Sequence, residues 1–481
     1  MGLRVAVVGG GLGGVTAAWQ LSQLGVAVKL YEASGRLGGV LETERFAGKE
    51  GSQGFVIECG ADSWMAEKPW ARDLAIELGL AQDLIVSNDA VRRTYIKTGG
   101  QLLPLPDGMR MMVPTQLAVL DDSPLFSPTV RAAYAAEPGR AAELKAEALG
   151  PDQDESVANF VRRHFGEEIT QTVARPLLAG VLGGNIDHLS AQAVMAPFVR
   201  LEQQYGSLIL GLEAQSATAS TPAPTEKSMF ASLRGGLAQL IEAMAHALPA
   251  ESIALDAPVE RIEREPEGWR VVSAAGVARF DALLLAAPAS VVRELLRPID
   301  AEIASLLAME ASSAIIVALA YDAEAARSIR IPSGFGYLVA PEDAGPDALL
   351  AATFVHSKFP QRAPEGGALL RAFFGGDTAL RLMESADEEL VALAREQLGL
   401  VLGAMPKPVH SLVRRWPHSL PQYAVGHRLR MRELEKSIGR MGNLRLVGNS
   451  YAGVGMPDVI REARQAGQSL VAEMAAHGAR S

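Results

Sequence analysis

The chain of 481 residues has a single cysteine, Cys59, and only 5% aromatic residues. One cysteine excludes a disulfide within the chain and a cysteine-based metal site, and it is typical of the reducing cytosol. The eight histidines show no metal-ligand spacing, so no metal is expected. No apolar run reaches the roughly 18–20 residues of a membrane span.

Basic residues are fewer than acidic ones, 45 against 55, and the net charge is −10. Nucleic acid is therefore not expected as a partner, because binding its phosphates needs a basic surface. The apolar share of 48% is that of a folded protein, and the length predicts two or three domains. Residues Leu3–Val8 lead into glycines rather than a cleavage site, so no signal peptide is expected. The prediction is a cytoplasmic protein.

The first 40 residues have the pattern of a βαβ unit. A valine-rich strand, Leu3–Val8, precedes Gly9-Gly10-Gly11-Leu12-Gly13-Gly14, then a helix and a second strand that ends before Glu32. Gly9, Gly11 and Gly14 have the G-x-G-x-x-G spacing, which allows a tight turn and close approach of the backbone to a pyrophosphate. The free amides of the helix N-terminus then favour the anion. This pattern predicts a dinucleotide site, and the alternative is a glycine-rich turn without a ligand.

The residues after the second strand indicate which dinucleotide binds. Glu32 is placed to accept the ribose hydroxyls, which argues against the 2′-phosphate of NADP. Arg36, Gly38 and Gly39 follow where an NAD domain has no use for them. An extended FAD needs a second close approach of the backbone there, so we expect FAD.

Residues from about Arg110 to Gln204 are rich in Ala, Glu, Leu and Arg, which predicts a helical subdomain. The cluster Arg162-Arg163-His164 is predicted to lie on a solvated helix face, where the net acidity of the chain allows only weak contact with lipid. The Ala-, Ser-, Thr- and Pro-rich stretch from Ala214 to Lys227 is predicted to be an exposed, flexible loop.

A strand, a glycine segment and a helix recur near the C-terminus, at Arg445–Asn449 and about Asp458–Ala475. We therefore predict an α/β fold: a discontinuous Rossmann-like FAD-binding domain with an inserted mixed-sheet substrate domain and a helical subdomain. The predicted limits are 1–88, 228–290 and 425–481 for the FAD-binding domain, 89–104 and 291–424 for the substrate-binding domain, and 105–227 for the helical subdomain with its loop.

The segment Glu32–Gly39 resembles the flavin-dependent amine oxidase superfamily, which carries an Arg-x-Gly-Gly element there. In that superfamily a second glycine segment closes over the flavin, and Leu446–Pro457 resembles it. Covalent flavin links in the superfamily use a cysteine near that segment, and none is present, so non-covalent FAD is implied. The resemblance also implies that the backbone of Val259 holds the adenine.

Other segments resemble the protoporphyrinogen and coproporphyrinogen oxidases. Ile57–Trp64 is similar to their Glu-x-Gly-Pro-x-Ser-Phe element, with Ala61 in place of the proline, and similar matches are spread over nearly the whole chain. Thr94–Thr115 and Pro457-Asp458 resemble the Gram-positive-type coproporphyrinogen III oxidases in particular. Together with the glycine pattern, the resemblance implies cofactor contacts from Gly9, Gly10, Gly11, Leu12, Gly13, Gly14, Glu32, Ala33, Arg36, Gly38, Gly39, Val40, Gly60, Ala61, Asp62, Ser63, Val259, Trp416, Val454, Gly455 and Met456.

The resemblance implies removal of six hydrogens from a porphyrinogen in haem biosynthesis, in three cycles that end with dioxygen reoxidising the flavin to give peroxide. Flavin N5 carries this chemistry, so no catalytic side chain is expected. Matched positions imply that Leu338 and Phe373 sandwich the tetrapyrrole and that the Gly180 carbonyl faces its N–H groups. The mitochondrial enzymes have a propionate-binding arginine where this chain has Thr94, so Arg92, Arg93 or Arg175 is the candidate.

The expected partners are a tetrapyrrole and dioxygen, with weak peripheral membrane contact and product transfer to a ferrochelatase as candidate associations. The first alternative is a protoporphyrinogen IX oxidase, or an amine or carotenoid oxidase on the same scaffold. The second is a non-catalytic binding module, which the complete set of glycines disfavours.

Overall fold

The computed structural model describes residues 2–48, 53–218 and 228–478. In chain order, its strands are β1 (Arg4–Val8), β2 (Ala27–Tyr31), β3 (Thr43–Phe46), β4 (Phe55–Glu58), β5 (Trp64–Met65), β6 (Leu84–Val86), β7 (Thr94–Thr98), β8 (Gln101–Pro104), β9 (Met109–Arg110), β10 (Val113–Pro114), β11 (Phe230–Leu233), β12 (Ile253–Ala254), β13 (Val259–Glu265), β14 (Gly268–Ser273), β15 (Gly276–Phe280), β16 (Ala282–Leu285), β17 (Ala311–Tyr321), β18 (Gly336–Val339), β19 (Ala351–Phe354), β20 (Ala368–Gly375), β21 (His410–Pro421) and β22 (Leu444–Leu446).

The α-helices are α1 (Leu12–Gln23), α2 (Trp70–Glu77), α3 (Pro128–Ala136), α4 (Ala141–Glu147), α5 (Val157–Phe165), α6 (Glu167–Ile169), α7 (Arg175–Leu182), α8 (Ala191–Val194), α9 (Ala196–Tyr205), α10 (Leu208–Thr218), α11 (Ala238–His246), α12 (Ala289–Leu296), α13 (Ala301–Leu306), α14 (Ala323–Ala326), α15 (Val355–Lys358), α16 (Gly376–Arg381), α17 (Asp387–Leu402), α18 (His427–Gly439) and α19 (Met456–Gly478).

A five-stranded parallel sheet, in the order β12-β2-β1-β16-β22, forms the nucleotide-binding part. Side chains of β1 alternate between two cores: Val5 and Val7 pack against α1 and α19, while Ala6 and Val8 pack against the sheet β13-β14-β15 and α12. All four are buried, which explains why this strand is apolar from Val5 to Val8. The predicted Rossmann-like α/β fold is confirmed.

The strands of this sheet come from stretches that are far apart in sequence. β1 and β2 precede the other three strands, and β22 lies near the C-terminus. Helix α19 packs against α1, where Arg464 Nε donates to Gln20 Oε1 (2.7 Å) across 444 positions. The arrangement is discontinuous, as expected, and the exact domain limits stay a prediction.

A seven-stranded sheet, in the order β21-β17-β20-β19-β18-β7-β8, forms the second layer. It is mixed because β7 runs parallel to β18, while its other pairs are antiparallel. One face, called here the back face, is buried against α17 through residues such as Phe374 and Leu398. The opposite face, called here the front face, carries Leu338 and Phe373.

The helices α3–α10 pack around a separate apolar core that includes Phe160, Ile169 and Leu208. Ser156 begins α5 by accepting a hydrogen bond from the Asn159 amide (3.2 Å). The predicted loop from Ala214 is wrong for its first five residues, because α10 continues to Thr218. Its remaining positions, 219–227, lie outside the described residues.

The solvated position predicted for His164 is also wrong. Its ring is buried, with Nδ1 2.9 Å from Glu137 Oε1 and Nε2 3.1 Å from Glu202 Oε1. Arg163 pairs with Glu202 and with Glu155 (2.5 Å), whereas Arg162 is exposed and pairs with Glu167. The partners come from other elements, so the helix pattern of α5 could not reveal them.

Across the three described ranges of the chain, no helix is both long enough and apolar enough to span a bilayer.

Candidate functional site

The glycine loop between β1 and α1 is tightly packed against its surroundings. A Cβ at Gly14 would collide with the carbonyl oxygen of Gly9, and one at Gly13 would lie 3.0 Å from Val447 Cγ1. Both positions therefore need glycine so that the helix can approach the strand and the C-terminal segment. These contacts account for two of the predicted glycines by close packing alone.

Gly11 differs from these neighbours, since a Cβ at Gly11 would meet no protein atom within 4 Å. No side chain caps α1 at this end, so amides of its first turn face the same open space. Gly11 forms a parallel bridge with Gly38, and a Cβ on Gly39 would lie 3.3 Å from Gly11 Cα. The two predicted glycine segments thus border one cradle that suits an anionic group.

Glu32 lies at the end of β2, beside this cradle. Its Oε2 accepts from the Gly10 amide (2.6 Å), and its Oε1 accepts from the Ser34 amide (2.8 Å) and hydroxyl (2.7 Å). The Ala257 amide donates to the Glu32 carbonyl (2.8 Å), which brings the start of β13 and Val259 near. These bonds fix the carboxylate of Glu32 in position. Its contact with a ribose stays a prediction, and so does the cofactor contact of Ala33, which is exposed.

Arg36 and Trp416 hold the second glycine segment in place. Arg36 donates to the Gly39 carbonyl (2.7 Å), and its guanidinium lies 5.8 Å from the centroid of the Trp416 ring. Trp416 Nε1 in turn donates to the Cys59 carbonyl (2.7 Å). Both side chains therefore support the backbone around the cradle, where Val40 is exposed.

The C-terminal glycine segment reaches the cradle from the other side. It precedes α19, which begins at Met456, and the Val459 amide donates to the Gly455 carbonyl (3.1 Å). Tyr423, two residues after the end of β21, donates its hydroxyl proton to the Asn449 carbonyl (2.6 Å). Val454, Gly455 and Met456 therefore lie where the N-terminal and C-terminal parts of the chain meet.

The predicted segment Gly60–Ser63 is bound to a cluster of buried charges that sequence reasoning missed. Lys358 Nζ donates to both carboxylate oxygens of Asp62 (3.1 and 3.2 Å) and to Ser63 Oγ (2.9 Å). Arg371 pairs with Asp62 (3.4 Å) and donates to the Gly60 carbonyl. One signal was available, since Arg371 is the only charge in the apolar run Ala368–Gly375.

Two further charges extend this cluster. Arg362 pairs with Glu58 (3.0 Å) and donates to Ser232 Oγ (2.7 Å). Burial raises the pKa of Glu58, although Arg362 opposes that shift. Burial also raises the pKa of the Cys59 thiol to about 11, so this cysteine is protonated and unreactive at neutral pH.

The predicted substrate residues Leu338 and Phe373 lie on the front face of the seven-stranded sheet. The pairing register aligns Ile96, Leu338, Ala351, Phe373 and Ile316 in one row across five strands. Leu338 and Phe373 are only half-buried, unlike the residues of the back face. The other three residues of the row are buried, so Leu338 and Phe373 are its accessible apolar side chains, and Arg371 on the same face joins the row to the segment Gly60–Ser63.

Gly180 lies in the last turn of α7, directly over this row. A Cβ at Gly180 would collide with Leu338 Cδ2, so glycine allows the helix to approach the sheet. Carbonyls in a last helical turn have no partner within the helix. The structure places Gly180 against Leu338, and the substrate contacts that the resemblance implied for both residues stay a prediction.

The three candidate arginines are each paired with an acid. Arg175 bonds Asp187 (2.9 Å), Arg92 pairs with Asp89 (3.4 Å), and Arg93 approaches Asp107 only to 4.0 Å. Arg92 and Arg93 have about half of their side-chain surface exposed, 46% and 48%. Arg93 has the weakest of the three pairings, so it is the most available to an added carboxylate.

A separate cavity of about 490 Å³ lies between α18 and α19. It is lined by residues such as Leu434, Ile438, Tyr451 and Ala466, and none of the predicted cofactor or substrate positions borders it.

The fold and the cradle define a dinucleotide-binding oxidoreductase. Open space at Gly11, uncapped amides of α1 and a carboxylate at the end of β2 suit the pyrophosphate and ribose of such a cofactor. The sequence profile of the flavin containing amine oxidoreductases matches residues 12–471. The chain belongs to this family, and its cofactor is FAD.

Similarity to individual proteins supports this assignment. The chain is 29% identical to the coproporphyrinogen III oxidase of Bacillus subtilis, over 96% of this chain and 97% of that protein. It is 30% identical to the protoporphyrinogen oxidase of Homo sapiens, over 98% and 99%. A crystal structure of a putative protoporphyrinogen oxidase from Exiguobacterium superposes with a TM-score of 0.83, at 29% identity over 98% and 99% of the two chains.

Proposed function

We propose that the protein oxidises coproporphyrinogen III to coproporphyrin III in haem biosynthesis. The observation that carries the proposal is the apolar row around Leu338 and Phe373, which lies under Gly180 and beside the segment Gly60–Ser63. This row offers the flat surface that a tetrapyrrole requires. Full-length similarity to named porphyrinogen oxidases supports the same substrate class.

Bound flavin supplies the acceptor for a hydride from a meso carbon of the substrate. The chain's own groups hold the macrocycle and exclude water. Leu338 and Phe373 lie on the same face of one sheet, so they cover one face of the ring system rather than sandwiching it. The Gly180 carbonyl accepts a hydrogen bond from a pyrrole N–H. Three such two-electron steps remove six hydrogens, and each step also releases a proton from the substrate.

The arginines near β7 and α7 bind the propionate groups of the substrate in this proposal. Arg93 exchanges its weak contact with Asp107 for a substrate propionate, with Arg92 and Arg175 as further candidates. Coproporphyrinogen carries four propionates and protoporphyrinogen carries two, so several such arginines favour the former. Resemblance of Thr94–Thr115 and Pro457-Asp458 to the Gram-positive-type enzymes supports the same choice.

Dioxygen is the final acceptor in this proposal, and each cycle releases hydrogen peroxide. The enzyme acts in the cytoplasm, with weak peripheral contact to the membrane and transfer of its product to a ferrochelatase. Its FAD is held without a covalent bond, because Cys59 is buried and protonated.

The second candidate is oxidation of protoporphyrinogen IX, which the similarity to the human enzyme favours. Anaerobic reduction of the bound flavin with each porphyrinogen in turn separates the two. We expect faster bleaching of the flavin absorbance and a higher kcat/KM with coproporphyrinogen III. A preference for protoporphyrinogen IX would favour the second candidate over the first. If neither porphyrinogen bleached the flavin, porphyrinogen oxidation would be rejected.

A further inference from the structure

Lys358, Asp62 and Arg371 form a compact buried charge cluster, called here the Lys358 triad. Lys358 and Arg371 are 7% and 2% exposed. Lys358 Nζ directs hydrogen bonds to the two Asp62 oxygens and Ser63 Oγ, which uses the three protons of an ammonium group. The triad therefore holds two cations and one carboxylate, a net charge of plus one.

The ionisation of Asp62 is consistent with this count. Burial raises the pKa of the Asp62 carboxyl, but Lys358 and Arg371 outweigh burial and hold that pKa below its ordinary value. Burial lowers the pKa of Lys358, and Asp62 opposes that shift. Lys358 and Asp62 alone would have no net charge. Arg371, the second cation, gives the triad one net positive charge.

The triad lies between the front face and the cradle. Arg371 precedes Phe373 by two positions in β20, and its guanidinium lies 4.9 Å from the Phe373 ring centroid. On the other side Arg371 donates to the Gly60 carbonyl, and a Cβ at Gly60 would collide with the Val40 carbonyl oxygen. The triad thus joins the apolar row to the backbone next to Gly39.

The Lys358 triad lies where we expect the flavin ring system of the cofactor. Glu32 and β13 mark the adenosine side of the cradle, so the rest of an extended dinucleotide must leave Gly11 in the other direction, past Gly39 and Val40. Within the described residues, Arg371 Nε and Arg362 Nη1 are buried without a hydrogen-bond partner. These two donors are available to a group bound next to the triad.

We infer that the Lys358 triad is an electrostatic device that stabilises the negatively charged reduced flavin through its net positive charge. A hydride carries two electrons and one proton, so its transfer to neutral oxidised flavin gives a reduced flavin with one negative charge. A fixed positive charge in a buried site favours that product without any reorganisation at the moment of transfer. The triad acts on the cofactor and therefore on every substrate that reduces it.

Sulfite is the probe for this inference, because it adds to oxidised flavin and leaves it negatively charged without any porphyrinogen. In the FAD-loaded protein, Lys358→Gln removes the surplus charge and keeps a group that can hydrogen-bond to Asp62. We expect sulfite to bind roughly tenfold or more weakly. The two-electron midpoint potential, measured against a reference dye, falls by about 30 mV for each tenfold change.

Two variants act as matched controls. The double variant Lys358→Gln/Asp62→Asn again leaves one net positive charge on Arg371, so sulfite affinity returns to within about threefold of wild type. Lys358→Arg keeps the charge and the affinity. Flavin content and thermal unfolding are measured for each variant, so that loss of fold is separated from loss of charge.

Unchanged sulfite affinity in flavin-loaded Lys358→Gln would refute the device. If that variant does not retain FAD, Arg371→Gln removes the same surplus charge: a roughly tenfold loss of sulfite affinity would support the device, and wild-type affinity would refute it. None of these readouts depends on the proposed substrate, so failure of the porphyrinogen assignment leaves the test intact.

Discussion

Single glycines of the nucleotide loop have two different roles that sequence spacing cannot separate. Gly14 is required by a protein contact, because a larger residue there would strike the Gly9 carbonyl oxygen. Gly11 has an extended backbone, with φ −70° and ψ −179°, and open space around its Cα. Substitution at Gly14 therefore disturbs the fold, whereas substitution at Gly11 reports on the ligand.

Gly11→Val is expected to fold with near-native stability and to bind FAD at least tenfold more weakly, a loss of about 1.4 kcal/mol. The reason is that the valine side chain fills the space that the pyrophosphate needs. Flavin content of the purified protein and titration of the apoprotein with FAD measure the effect. Gly345→Val is the control, since Gly345 is exposed with no atom near its Cβ position. Normal FAD loading of Gly11→Val would contradict the placement of the cofactor.

Phe373 and Phe374 of β20 allow a test of the proposed substrate site, because their side chains lie on opposite faces of the sheet. Phe373→Ala removes apolar surface from the proposed substrate floor, so kcat/KM for the porphyrinogen should fall roughly 5- to 30-fold. Its effect on the free energy of unfolding should be small, since Phe373 is only half-buried. Steady-state kinetics and urea unfolding provide the two measurements.

Phe374→Ala is the matched control for that test. Phe374 is 0% exposed on the back face, so its loss should cost about 3–5 kcal/mol of unfolding free energy. The folded fraction should keep the wild-type kcat/KM. Equal kinetic losses in the two variants would show that the front face is not the substrate floor.

Whether a residue of the site could be predicted depended on how far its contact partners lie from it in the sequence. Gly9–Gly14 and Glu32 could be identified because a turn, a helix start and a strand end are encoded within about 30 residues. Lys358 could not, because its partner Asp62 lies 296 positions away. For the same reason the placement of His164 was wrong, as its carboxylates come from positions 27 and 38 residues away.

At the scale of elements, His164 ties α5 to α9 and to the turn that holds Glu137. Its ring nitrogens lie 2.9 Å and 3.1 Å from carboxylates that are themselves buried. Burial lowers the pKa of His164, but the two carboxylates outweigh burial and raise it above its ordinary value. The pKa of Glu202 is lowered, because His164 and Arg163 oppose the effect of its burial.

This junction predicts a pH-dependent stability of the helical part. Because the folded-state pKa of His164 is raised, its stabilisation is complete below the unfolded value near 6.5 and is lost as pH rises through the folded value. His164→Gln should cost about 3 kcal/mol at pH 6, since it leaves the buried Glu137 carboxylate without its cation, whereas Glu202 keeps Arg163. The gap from wild type should narrow toward alkaline pH.

Urea unfolding across a pH series measures this gap, with exposed His188 changed to Gln as the control. The control should leave both the stability and its pH dependence at wild-type values. A gap between wild type and His164→Gln that does not change with pH would contradict a charged His164.

At the scale of the whole molecule, the cofactor site is built from both sequence ends of the described chain. Gly13 approaches Val447 and Val459, so the loop after β1 and the segment before α19 confine the same ligand. The βαβ pattern and the recurrence of strand, glycines and helix made this discontinuous arrangement predictable. The contacts of the segment Gly60–Ser63 with Arg371 of the seven-stranded sheet were not predictable, because they depend on packing between distant segments.

Cofactor binding should therefore stabilise the molecule as a unit. Addition of FAD to the apoprotein at a hundredfold excess over its Kd should raise the unfolding free energy by about 2.7 kcal/mol. Calorimetry of apoprotein and FAD-loaded protein should show one transition that moves to a higher temperature on loading. FAD at the same concentration should shift Gly11→Val much less, and an equal shift would mean that the ligand binds elsewhere.

The bond between Gln20 and Arg464 has a consequence for biosynthesis. A ribosome that adds roughly 5–20 residues per second needs roughly 20–90 s to pass from one partner to the other. During that interval α1 has been made while α19, which covers it, has not. We therefore expect the nascent chain to need protection of its first βαβ unit from aggregation, and we expect flavin loading to be a late event of its maturation.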